Sequence, residues 1–153
     1  MKSTFARKVI PGVFLCCVLT SCGGSSSNTP GTLHIQLSPT SPTLAVNSSI
    51  AISAQTTPTL PVNDPTYDGW MNWSIVGESQ DQCTQTLPNP QCPNGTLEWH
   101  IPIRSAPMDV TYYAPATPGS YQVSVQGSIY DVSNPNKIEY QGTATVTVTV
   151  TAQ

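Results

Sequence analysis

The stretch "TATVTVTVT" (Thr143–Thr151) sets Ala144, Val146, Val148 and Val150 in strict alternation with an unbroken row of threonines. A repeat of two is the repeat of a β-strand, whose successive side chains point to opposite faces. One apolar face and one hydroxyl face describe a strand that covers a core on one side and meets water on the other. The same alternation recurs upstream in "SYQVSVQGSIY", with Tyr121, Val123, Val125 and then Ile129, and in "WMNWSIV", with Met71, Trp73 and Ile75. It recurs again in "LHIQL" (Leu33, Ile35, Leu37), "SIAISA" (Ile50, Ile52, Ala54), "TLEWHI" (Leu97, Trp99, Ile101) and "MDVTYY" (Met108, Val110, Tyr112). Pro39 and Pro42, and clusters of Pro, Gly and Asn elsewhere, punctuate these runs as turns. Seven such strands in about 120 residues predict an all-β fold, a two-sheet antiparallel sandwich.

Composition agrees. The 153 residues include 15 prolines and only 8% charged side chains, a poor recipe for helices. Charge is distributed unevenly: Lys2, Arg7 and Lys8 precede the apolar run Val9–Leu19, and only Arg104 and Lys137 follow it. All eight acids lie beyond residue 60, so the chain without its first 21 residues carries a net charge of −6. Nucleic-acid binding requires a basic stripe that displaces counterions from phosphates, and no such stripe exists here.

Several motifs occur in an order that resembles bacterial immunoglobulin-like domains: "LSPTSPTLAVNSSIAISA" (Leu37–Ala54), the "NWSI" strand around Trp73, "VTYYAPATPGSY" and the closing "ATVTVTV". The resemblance spans about Leu33 to Val150. It implies an immunoglobulin-like sandwich with Trp73 as the core tryptophan of its third strand and Tyr121, in "PGSYQVSV", at a tyrosine corner. Val123 then stands where such domains place a cysteine, facing Ile52 or Ala54. The sequence departs from the family at 77–95, an insertion rich in Pro and Cys, so that the sandwich is expected over 32–153.

The N-terminus reads as an address. A basic start, an eleven-residue apolar stretch interrupted by Pro11-Gly12, and then small residues are the parts of an export signal over 1–21. Eleven residues fall short of the roughly 20 that span a bilayer as a helix. The signal could simply be cleaved, with Cys22 incidental. Against that, Leu19-Thr20-Ser21-Cys22 resembles the lipobox of bacterial lipoproteins, which implies acylation of Cys22, cleavage before it and anchoring of the chain to the membrane by fatty-acyl groups such as palmitate. Gly23 after the cysteine implies the outer membrane. The following "GGSSSNTPG" has nothing apolar to bury, so residues 22–31 are expected to form a lipidated, flexible tether with a span of roughly 15–20 Å.

In an exported chain, Cys83 and Cys92 are expected to form a disulfide, since the compartment is oxidising. Eight intervening residues with no neighbouring histidine do not fit a zinc site. His34 and His100 fall on the polar faces of their strands with no nucleophile in a recognisable setting, so no catalytic residue is assigned. "NDPTYDG" (Asn63–Gly69), with Glu78 and Asp81, makes an acidic group of loop residues that could offer oxygens to calcium, although the spacing fits no EF-hand. No metal site and no cofactor are assigned.

Tyr67 and Trp70 lie beside that group, and Trp70 is out of phase with the core positions Met71, Trp73 and Ile75. It is either an exposed ring able to stack on a sugar or a partner's apolar patch, or is covered by the long loop. The last strand is uncharged; at a sheet edge it could accept another strand, unless the first strand covers it. The expected function is a lipid-anchored, non-enzymatic envelope module that binds a protein or glycan. The alternative is an assembly subunit acting through strand edges.

Overall fold

The computed structural model describes residues 29–61, 64–78, 83, 92–99 and 108–152. The lipobox, Cys22, most of the tether, Asp81, His100, Ile101 and Arg104 therefore lie outside the described residues. Nine strands follow in order: β1 (Gly31–Thr32), β2 (His34–Ser38), β3 (Thr43–Ala45), β4 (Ser49–Thr57), β5 (Tyr67–Ile75), β6 (Thr96–Trp99), β7 (Asp109–Tyr113), β8 (Gly119–Asp131) and β9 (Asn134–Thr151). All seven expected strands are present, and β1 and β3 are short additions. Among the described residues no helix is long and apolar enough to cross a membrane.

The strands form two sheets. One has the order β1-β9-β8-β5, with β3 also pairing to β9; the other has the order β2-β4-β7-β6. Lettered A to G by position, these are the A-B-E-D and G-F-C sheets of a constant-type immunoglobulin domain, with pieces of the first strand added beside G. The chain is an immunoglobulin-like β-sandwich. Its two inner faces close on Trp73, Tyr112, Ile52, Leu97, Val123, Val125 and Val148, each 0% exposed. The alternating positions of β8 and β9 pair directly, Val125 with Ala144, Val123 with Val146 and Tyr121 with Val148, so each inward residue meets another inward residue. Ile52 and Val123 fill the space where many such domains carry an inter-sheet disulfide, and burying side chains of this size contributes about 1.5–3 kcal/mol each.

The tyrosine corner forms. The Tyr121 hydroxyl donates to the Thr117 carbonyl at 2.8 Å, pinning the connection that carries the chain from β7 across to β8. A Tyr121→Phe variant keeps the ring and loses only this bond. It is expected to lower the urea midpoint by an amount worth about 1 kcal/mol with an unchanged slope. An unaltered midpoint would show that the corner is idle.

The last strand has its outer edge covered at the two ends. Its inner side pairs with β8 along its length, while β1 pairs with it in parallel at Tyr140–Gln141 and β3 at Thr149–Thr151. Three further bonds seal these contacts: Leu33 N–H to the Gln141 carbonyl, Thr149 N–H to that of Pro42, and Val46 N–H to that of Thr151. The first strand thus begins on one sheet, crosses to the other at Leu33 and returns at Thr43. The crossing is made possible by a hollow in the inner face where Gly127 pairs with Gly142. A methyl group on Gly142 would come within 1.9 Å of the Leu33 carbonyl oxygen, and one on Gly127 within 2.9 Å of the Leu33 side chain.

Candidate functional site

The two ends of the sandwich differ in chemistry. At one end lie the β3–β4 turn, the β7–β8 connection and the two feet of the 77–95 insertion; at the other lie the β4–β5 connection, the β8–β9 turn and the start of β1.

The insertion end is built on a pinned base. β5 finishes at Ile75, and a turn follows in which Glu78 N–H donates to the Ile75 carbonyl. The Glu78 carboxylate accepts the Asn94 N–H at 2.7 Å, closing the two feet of the insertion on each other. The Tyr112 hydroxyl, on a fully buried ring, donates to the Asn94 carbonyl at 2.8 Å. Burial, with a smaller contribution from Tyr121, pushes the Tyr112 hydroxyl far above the ordinary phenol range, so it remains a donor.

Cys83 and Cys92 form the expected disulfide, with Cα atoms 5.7 Å apart and both residues buried. Gly95 then turns the chain into β6 at φ +106°, where a Cβ would stand 2.5 Å from the Tyr113 carbonyl oxygen. Only glycine fits that position.

A half-open groove of about 470 Å³ opens beside this base. Its walls come from Asn47 in the β3–β4 turn, from Cys92, Pro93 and Thr96 at the foot of the insertion, and from Ala114 and Thr117 after β7. Two of the turns are held to each other, Ala114 N–H donating to the Ser48 carbonyl at 2.8 Å and Asn47 N–H to that of Pro115 at 3.4 Å, while Gly95 N–H closes the foot of the insertion on the Cys92 carbonyl at 3.0 Å. The walls are therefore mostly small side chains and prolines, with Tyr113 the one large residue among them. They suit recognition by shape and by hydrogen bonds, and among the described residues no group of three His, Cys, Asp or Glu could hold a metal.

The acidic residues read together from the sequence are kept apart. Asp64 precedes β5 and Asp68 is its second residue, whereas Glu78 lies beyond its end, so the strand from Gly69 to Ile75 stands between them. At about 3.4 Å per residue that separation exceeds 20 Å, so they cannot share one ion. Each carboxylate has a local duty instead. Asp64 accepts from the N–H groups of Thr66 and Tyr67, and Asp68 from Gly69 N–H and the Tyr130 hydroxyl. The bond to Asp68 raises the Tyr130 hydroxyl above its ordinary value. Asp131 is held below the carboxylate range by the hydroxyl and N–H of Ser133, which brace the β8–β9 turn.

Tyr67 and Trp70 are both exposed, at 40% and 38%. They belong to β5 rather than to a loop, and its register with β8 runs without interruption from Tyr67–Asp131 to Ile75–Val123. Three positions apart on a regular strand, they project to opposite faces and do not form one stacking surface. They also lie at the end of the sandwich away from the disulfide. His34 is exposed on the outer face of β2, as its phase implies.

The groove itself was not legible in advance. Its three wall segments lie up to 70 residues apart in the chain, near Asn47, Pro93 and Thr117, and only the sheet topology brings them together. The local hint was the run of Pro, Gly and Cys at 92–95.

No family model matches the chain, and no curated protein matches it. Among solved structures it is similar to an ASH/PapD-like domain of human CEP192, at 10% identity and a TM-score of 0.42, over 100% of this chain and 99% of that one. It is also similar to a nucleoside hydrolase-related hypothetical protein from Saccharophagus degradans that is associated with carbohydrate metabolism, at 11% identity and a TM-score of 0.36, over 81% of this chain and 26% of that one. A third is the ZirS C-terminal domain, at 13% identity and a TM-score of 0.27, over 100% and 87% of the two chains. Likeness at this level carries no argument about function; the fold rests on the sheet order and register given above.

Proposed function

We propose that this chain is a non-enzymatic binding module, moored to a bacterial envelope membrane by acyl groups on Cys22, that holds a protein or glycan partner at the insertion end of its sandwich. The observation that carries the reading is the pinned base. The Glu78–Asn94 and Tyr112–Asn94 hydrogen bonds and the Cys83–Cys92 bond tie the feet of the insertion beside a groove of about 470 Å³. A rigid scaffold presenting a preformed groove loses little entropy on binding, which is how the ends of sandwiches come to carry recognition. The lipobox supports the anchor, and the tether that follows it would keep the domain close to its membrane.

The test fills the groove without touching the core. Ala116 is exposed on the groove wall, so Ala116→Arg leaves the sheets intact while projecting a long charged side chain over the cavity. Binding of the mature chain to cross-linked envelope proteins and to a panel of envelope glycans is expected to fall at least about tenfold, 1.4 kcal/mol or more. Replacing both Cys83 and Cys92 by serine is expected to weaken the same interaction by loosening the insertion. Undiminished binding by a folded Ala116→Arg protein would remove the groove from the function.

A further inference from the structure

Among the described residues, five large apolar side chains are more than a third exposed: Tyr67 40%, Trp70 38%, Val76 49%, Val132 46% and Tyr140 39%. Four of them, all but Val76, gather at the end opposite the insertion. They fall within the last rungs of one sheet, where Tyr67 pairs with Asp131, Trp70 with Ser128 and Ile129 with Tyr140, and Val132 occupies the turn beyond. On the strand spacing these rungs span about 10 Å.

The tether enters the fold at this same end. Gly31 pairs with Tyr140, and a Cβ on Gly31 would stand 2.7 Å from the Tyr140 ring, so the ring lies directly over the tether's root. Residues 22–30 number nine, which reach at most about 30 Å when fully extended and roughly 15–20 Å on average as a flexible chain. From the rung of Tyr140 to Thr151, at the insertion end, is about 37 Å along β9. A bilayer holding Cys22 is thus within reach of the aromatic end and beyond easy reach of the insertion end.

We infer that the domain stands on its own membrane on this end, with Tyr67, Trp70, Val132 and Tyr140 resting in the lipid headgroup layer and the insertion turned outward. The inference rests on the anchor proposed above. Trp and Tyr suit that layer because each joins an apolar ring to a polar tip. The two faces of β5, which part Tyr67 from Trp70 and spoil them as one stacking platform, are no obstacle to a flat bilayer meeting the strand end-on.

The scaffold of the end is stiff. Val132 N–H donates to the Thr66 carbonyl at 2.9 Å, and Tyr130 and Asp68 tie β8 to β5. Its charge selects the lipid. Among the described residues, Asp64, Asp68, Asp131 and Glu139 stand there against Lys137, which is paired to Glu139 at 2.6 Å, so anionic headgroups are repelled and zwitterionic ones tolerated.

The test uses the lipidated protein recovered from producing cells and placed in phosphatidylcholine vesicles whose acyl chains are brominated near the headgroup. Mass spectrometry of the N-terminal peptide reads the acyl groups on Cys22. The Trp70 signal is the difference in fluorescence between wild type and Trp70→Phe, a change at an exposed site. Expected is quenching of that signal by roughly half, as for a ring at the 5–10 Å depth of interfacial contact. The quenching should shrink with Val132→Asp and when phosphatidylglycerol replaces a third of the lipid. Acylated Cys22 with an unquenched Trp70 would overturn the orientation alone. A Cys22 without acyl groups would overturn the anchor and the orientation with it.

Discussion

Trp73→Ala is expected to lower the unfolding free energy by about 3–5 kcal/mol, the range for emptying a buried indole site. Trp73 is 0% exposed and lies between Met71 and Ile75, with Val125 as its cross-strand partner. Its ring therefore sits where the two inner faces meet, on an edge strand that β8 holds rung by rung from Tyr67 to Ile75. A cavity in such a place cannot collapse without moving a sheet. For a domain of this size the loss corresponds to a fall in melting temperature of roughly 10–20 °C. Equilibrium urea unfolding of wild type and variant checks it. A change below about 1 kcal/mol would mean that the core repacks around the gap and that Trp73 is not its keystone.

Gly142→Ala should cost nearly as much, although the substitution adds a single methyl group. The added carbon would meet the Leu33 carbonyl oxygen at 1.9 Å, and that oxygen is backbone. Leu33 cannot swing aside, because its own N–H is bonded to the Gln141 carbonyl and its side chain is buried over Gly127. Something in the crossing must shift, and overpacking of this kind costs about 1–3 kcal/mol or more. The loss should concentrate in β1. Hydrogen exchange is expected to show lost protection at Leu33 and at the β1 amides well before the β5–β8 pairing opens. Uniform protection equal to wild type would show that the crossing has slack that the distances deny.

These two positions also mark how far the sequence could be read. Trp73 was legible because the period of two in "WMNWSIV" gives its phase directly and because burial follows phase wherever a sheet has one wet face. Tyr121 was legible because the corner is a local device, donor and acceptor being four residues apart. Gly142 was not. Nothing adjacent to it in the chain reveals that Leu33 will press on it, since that contact joins residues more than a hundred apart. Tyr67 was misplaced for a related reason. The Asp, Pro and Gly around it are turn formers, yet β5 begins there because β8 runs on to Asp131 and offers it a partner. The "NPN" at Asn134–Asn136 yielded only in part: β9 starts at Asn134, yet Pro135, Asn136 and Lys137 bulge between the rungs Asp131–Asn134 and Tyr130–Ile138. At Tyr67 local propensity lost to a neighbouring strand that only the assembled fold supplies.

The covalent link between Cys83 and Cys92 spans nine positions of one connection, whereas the sheets themselves are held by Ile52 and Val123 where a cross-sheet bridge would otherwise stand. Oxidation is therefore a finishing step. A newly made chain can assemble both layers while Cys83 and Cys92 are still free thiols, forgoing about 2–3 kcal/mol of stability. What waits on the oxidant is the link between Cys83 and Cys92, so a reducing environment would deliver a folded domain whose insertion end is slack.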